Sequence, residues 1–92
     1  MTEAERLKEL VGRAVVVDTD STLLYVGTLA KADGLFYELT DVDAHDSTTT
    51  TTPRDLYIIN AAKYGVKKNR DRVLLRCARV VSVSALDDVT RY

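Results

Sequence analysis

The residues able to do chemistry are few here, and their placement argues against catalysis. There is one histidine, His45, and one cysteine, Cys77. The sequence has no glycine-rich phosphate loop and no serine set in a nucleophile motif. The acid, base and nucleophile that an enzyme must bring together are therefore missing, and neither catalysis nor a cofactor is expected. Asp41, Asp43 and Asp46 with His45 have the residue types of a cation site. Hard-cation loops also use a glycine-turned geometry that this segment lacks, so no metal is expected. Cys77 reads as a small buried hydrophobe, because a reactive thiol wants an adjacent base and His45 lies in a polar loop where it is expected to face solvent.

Charge offers the better lead. From Asp18 to Asp55 the acids are Asp18, Asp20, Asp33, Glu38, Asp41, Asp43, Asp46 and Asp55, against Lys31 and Arg54. From Lys63 to Arg79 the balance reverses: Lys63, Lys67, Lys68, Arg70, Arg72, Arg76 and Arg79 face Asp71 alone. A formal net charge of −1 conceals this segregation. Local fields rather than the total steer partners. Two readings of the basic run stand at this point, a solvated loop and a contact for nucleic acid.

The chain of 92 residues is read as one domain, residues 1–92, which buries roughly 60–65% of the surface its unfolded form exposes. No apolar run approaches the ~20 residues of a bilayer span. The N-terminus lacks the basic flank and apolar core of a secretory signal. No membrane contact is expected, and the setting is expected to be cytoplasmic, in keeping with a single cysteine that cannot close an internal disulfide.

Several elements must position these groups. Thr2 and Glu5 have capping-box spacing, and Ala4, Leu7, Leu10 and Val11 form an apolar stripe ended by Gly12, which predicts a helix over residues 3–11. Residues 13–19 and 23–32 read as a hairpin around Asp20, Ser21 and Thr22. Gly27, inside the second strand, marks a bend or a close backbone approach. Asp33 and Gly34 predict a tight turn into a third strand over 35–42. Residues 43–52, polar and threonine-rich, read as a loop. Thr52 as cap, Pro53 as first helical residue and Gly65 as stop predict a helix over 53–64, although Tyr57, Ile58 and Ile59 would also suit a short strand. Residues 66–72 read as a charged connection.

The longest extended stretch is 73–84, expected as the spine of the sheet. Val73 and Leu75 alternate with Leu74 and Arg76; then, after almost no turn, Val81 and Val83 are expected inward and Ser82 and Ser84 outward. A short turn is expected near residues 86–89. A meander bent in its middle strand is what a small, strongly curved barrel needs.

In this stretch Leu75, Arg76, Cys77, Ala78, Arg79 and Val80 resemble the second signature of the Sm and Sm-like proteins, usually written IRGNNI. Leu10, Gly12, Val15 and Val17, then Gly27, Leu29, Asp33, Phe36 and Leu39, are similar to the first. The resemblance covers nearly the whole chain except an insertion at about 43–68. It implies a mainly β fold, with an N-terminal helix followed by a five-stranded, strongly bent antiparallel barrel. The helix near 53–64 would then be inserted between the third and fourth strands. It also implies self-assembly into a ring, usually of six or seven subunits, by pairing of the fourth strand with a neighbour's fifth. Val73, Leu74, Leu75, Val80, Val81 and Val83 would then line the interface, and free apolar edges give a physical reason for closure.

The RNA-binding members hold a base with an aromatic or hydrophobic side chain, an asparagine, an arginine and a glycine. Residue by residue, the resemblance places Asp33, Phe36, Tyr37, Arg76 and Cys77 at those positions, with Lys67 and Lys68 in the adjoining basic run. Tyr37 stands in place of asparagine and Cys77 in place of glycine. These changes remove the amide that can read a uracil edge and the close backbone approach. Arg76 has two readings, a nucleic-acid contact and an ion-pair partner for Asp33. Tyr37 likewise reads as a packed strand residue or as a stacking platform. Two functions remain: a ring that binds single-stranded RNA, and a protein scaffold of the same fold that binds none.

Overall fold

A computed structural model describes residues 3–48 and 52–90. Thr2, the expected first cap, and Thr49 to Thr51 of the expected loop lie outside the described residues. The chain opens with α1 (Glu3–Leu7), which tightens into a 3-10 turn at Lys8–Leu10 and stops at Gly12, whose φ is +87°. Five strands follow: β1 (Ala14–Thr19), β2 (Leu23–Ala32), β3 (Phe36–Asp46), β4 (Arg70–Arg76) and β5 (Val80–Ala85). A second helix, α2 (Arg54–Tyr64), joins β3 to β4. The strands form one antiparallel sheet in the order β4-β3-β2-β1-β5.

That order corrects one expectation. Residues 73–84 are not the spine of the sheet: β4 and β5 are its two edges, and β2 is central. The C-terminal stretch is apolar because one face of each strand enters the core, not because it lies between neighbours. Leu75 is buried, and Val73, Val80 and Val83 pack partly buried against the same cluster. Val81 points outward instead of inward and is 70% exposed. The β1–β5 register explains this: Asp18 pairs with Ser82 and Thr19 with Val80, so Val81 is the extra residue of a bulge.

The sheet bends where Gly27 lies. Val26 pairs with Asp43 and Thr28 with Thr40, so β3 carries an extra residue opposite Gly27. Asp41, within this bulge, has φ +50°. A Cβ on residue 27 would meet the Thr40 carbonyl oxygen at 3.0 Å and Val42 Cα at 3.2 Å. Only glycine allows the two strands to approach this closely. The bulge also reverses the side-chain alternation of β3, turning Leu39 and Val42 to the interior and His45 to the opposite face.

Beyond the bulge β3 continues to Asp46, pairing Leu24 with His45 and Leu23 with Asp46. Residues 43–46, expected as loop, are therefore strand. Their polar character is compatible with this because the partner strand supplies the backbone bonds and α2 covers the outer face. His45, expected in solvent, is 8% exposed and stacks on Tyr57 with ring centroids 4.0 Å apart.

Two apolar clusters result. The interior one joins Leu7 of α1 to Val15, Val17, Leu29, Tyr37, Leu39, Val42 and Leu75. The outer one joins Val16, Leu24 and Val26 of the sheet to Ala61 of α2 and to Leu86, in the 3-10 turn Leu86–Asp88 that follows β5. At roughly 1.5–3 kcal/mol per fully buried aliphatic side chain, the outer cluster is a substantial second source of stability. The helix over 53–64 forms essentially where expected, with Pro53 rather than Thr52 at the N-cap position and Gly65, φ +90°, at the stop.

Candidate nucleic-acid interface

The β2–β3 turn is built by Asp33. Its Oδ1 accepts the amide N–H groups of Leu35 and Phe36, each at 2.9 Å, while Gly34 takes the left-handed φ of +90°. These two bonds, Phe36's first, hold the Asp33 carboxyl below the usual aspartate range, since they favour its charged form. On the neighbouring edge, the Cys77 N–H donates to the Leu35 carbonyl at 2.9 Å. Phe36 lies directly across the β3–β4 ladder from Arg76. One turn and one strand end thus bring Asp33, Phe36, Arg76 and Cys77 together.

Of the two readings of Arg76, the ion pair with Asp33 does not form among the described residues. Asp33 Oδ1 is engaged by two backbone amides, and the Arg76 side chain is exposed with no ion-pair or hydrogen-bond partner among the described residues. Phe36, its partner across the ladder, is partly exposed. Tyr37, its neighbour, points the other way and is 2% exposed within the interior cluster, so it presents no stacking face. This is the packed-residue reading of Tyr37. Cys77 packs against the same cluster.

Lys67 and Lys68 lie elsewhere. The length of β4, on the order of 20 Å for its run of residues, separates them from Arg76. Lys68 bridges Asp71 at 3.0 Å and Asp41 at 3.4 Å, which pushes its pKa up. Pairing also consumes much of the basic run. Arg72 binds Glu38 across the ladder at 2.8 Å, and Arg79 binds Asp20 at 2.8 Å. The charge segregation along the sequence is therefore partly complementarity between facing strands. These pairs are largely exposed, so each adds little stability. Lys67, Arg70 and Arg76 remain unpaired among the described residues.

The sequence reading missed a hollow of about 210 Å³ lined by Lys31, Asp33, Phe36, Glu38, Arg72 and Leu74. Its added members follow from strand alternation once β3 and β4 are paired: Glu38 opposes Leu74, and Thr40 opposes Arg72. The signal lay in the register, which the sequence alone does not supply. No three His, Cys, Asp or Glu side chains among the described residues come together as a metal site.

The chain matches no family sequence model and no curated protein. It is similar in structure to a Sm protein of Pyrococcus abyssii, solved in complex with a uridine heptamer. That match has a TM-score of 0.62 at 16% identity, covering 92% of this chain and 99% of that one. An Sm-like protein of Archaeoglobus fulgidus matches equally, with a TM-score of 0.62 and 16% identity over 92% of this chain and 95% of its own. With its bent five-stranded sheet, its leading helix and the contact between the β2–β3 turn and the end of β4, the chain has the Sm-like fold.

Proposed function

We propose that this chain is a divergent Sm-like protein that closes into a ring of identical subunits and binds single-stranded RNA without catalysis, in a cytoplasmic setting. The observation that carries the RNA reading is the unpaired, exposed Arg76 side chain directly across the β3–β4 ladder from the partly exposed Phe36. A phosphate or a base plane and an aromatic face are the two things single-stranded RNA needs from such a surface. The neighbour solved with a uridine heptamer supports it.

Ring closure is supported by the sheet's edges. Among the described residues β4 pairs only with β3 and β5 only with β1, so each leaves a row of backbone donors and acceptors open. Leu74, 52% exposed, and Val81 stand on those two edges. A hollow of about 260 Å³ beside β5, lined by Leu7, Tyr37 and Val80 to Val83 among others, is of a size to seat an apolar side chain from a neighbour's β4. Closure would repeat Arg76 around an axis and sum its field.

The scaffold reading keeps one observation in its favour: Lys68, Arg72 and Arg79 are already neutralised within the chain. Light scattering behind a sizing column, with anisotropy titrations of labelled single-stranded RNA over a salt series, separates the two. The RNA reading expects a mass several times that of one chain and affinity falling steeply with salt. Arg76→Ala should lower the logarithmic salt slope by about one for each phosphate that the protein then leaves unneutralised. A ring that binds no RNA at any salt would leave the scaffold, and a mass near the 10.2 kDa of one chain would end the ring.

A further inference from the structure

We infer that the cleft between α2, the Asp43 end of β3 and the segment leading from α2 to β4 is a second RNA contact, taking one unpaired base that carries an exocyclic amino group, with the adjoining phosphate on Lys67. The ligand class rests on the RNA reading above, but the site shares none of the residues around Arg76. The cleft encloses about 260 Å³ and is lined by Asp43, Tyr57, Asn60, Tyr64, Gly65 and Lys67 among others. It is smaller than the ~300–1,000 Å³ of sites for drug-sized ligands, a size suited to a single planar ring.

The chemistry of the lining selects the occupant. Tyr64, the last residue of α2, is 76% exposed, and Gly65 after it leaves open space where a side chain would begin. An aromatic face so presented is a stacking surface that tolerates any base. Asp43 is an acceptor only, and one of its oxygens is engaged by the Asn69 side-chain amide at 3.1 Å. The remaining acceptor capacity asks for an N–H donor: adenine, cytosine and guanine bring an exocyclic amine, whereas uracil brings only its ring N3–H, flanked by two carbonyl oxygens that the carboxylate repels. At the floor of the cleft the Tyr57 hydroxyl is buried and makes no well-formed hydrogen bond, although burial and then the nearby Asp43 carboxylate raise its pKa. Buried polar atoms are rarely left so, which makes this a polar floor with unused capacity.

Lys67 forms no ion pair among the described residues and stands at the rim. An aromatic face, an acceptor for an amine and a free ammonium together complement a nucleotide. A simple amine would meet Asp43 favourably but be repelled by Lys67, and a purely apolar segment would leave both charges unused.

Anisotropy titrations of oligo(A), oligo(C) and oligo(U) with the wild-type protein, Tyr64→Ala, Asp43→Asn and Arg76→Ala test this. Tyr64 is exposed, so its removal leaves the fold intact. Tyr64→Ala should weaken oligo(A) and oligo(C) by about tenfold, the loss typical of one stacked base, and Asp43→Asn should weaken both by about tenfold through loss of the charged acceptor, while oligo(U) changes little in either. If both variants bind all three oligomers as the wild type does while Arg76→Ala weakens them, the second site is overturned and the first survives. If the wild type binds none, both fail. If Tyr64→Ala alters the mass on a sizing column but not RNA affinity, Tyr64 is a contact between copies and the inference is overturned.

Discussion

Inside the barrel Val15, Val17, Leu29, Leu39 and Val42 are buried almost completely, and no side-chain polar atom there is left unpaired among the described residues. On the outer face, under α2, Val16, Leu24 and Val26 are as deeply buried, but their cover is Ala61 and Leu86 with residues that are themselves only partly buried, Tyr57, Ile58, Val66 and Val89 among them. Two buried polar atoms there, His45 Nε2 and the Tyr57 hydroxyl, lack a well-formed hydrogen bond. The interior is the common barrel; the outer cluster is what the inserted helix adds. A fully satisfied core specifies one structure, whereas a patch with unmet hydrogen bonds gives up stability that a later partner can restore.

The sharpest way to break this contrast is through the interior. Leu39→Ala should cost about 2–5 kcal/mol and lower the melting temperature of the whole molecule, because its neighbours in the barrel cannot collapse into the gap. Ala61→Asp, on the outer face, should cost on the order of 2 kcal/mol by burying a carboxylate against Val16 and Leu24. Hydrogen exchange should then quicken in α2 while the amides of β1 to β3 keep their protection; uniform quickening would mean that the two clusters unfold as one. Tyr57→Phe should move stability by no more than about 0.5 kcal/mol, or raise it, since the hydroxyl it removes makes no well-formed bond. A loss well beyond that in urea unfolding would show that the hydroxyl is satisfied in solution.

The smallest effect concerns the β2–β3 turn. Asp33's carboxyl is held below its usual value of 3.8 by the amides of Phe36 and Leu35. With the folded pKa depressed, its contribution is complete above that usual value and is lost as pH falls through the lower folded one. The Phe36 amide resonance should shift over that acid range in the wild type and stay still in Asp33→Asn.

Much of the barrel was legible from sequence. The β-branched residues in 13–19, the extended run 23–32, the glycine within β2 and the Asp33–Gly34 pair each specify a local geometry that the fold keeps. The helix over 53–64 was legible from its proline and glycine ends. A further signal was present but unread: Val15, Val16 and Val17 are consecutive apolar residues, and all three are buried. A strand covered on one face alternates; one covered on both does not. That run announced a cover for the outer face, and α2 supplies it.

Of the site, the sequence supplied Asp33, Phe36 and Arg76 as residue types but not their relation. Whether Arg76 meets Asp33 depends on which groups reach the carboxylate first, and two backbone amides within the same turn do so. The fates of Tyr37, His45 and Val81 turned on strand register, and at His45 and Val81 on single-residue bulges that move the side chains around them to the opposite face. The sequence by itself determined the elements, the turn at Asp33 and the need for a glycine at residue 27, because these are settled by backbone geometry within a few residues. Only the tertiary structure decided which cations stay free and which polar groups are buried, because pairing across strands depends on register, and register is set by the whole sheet.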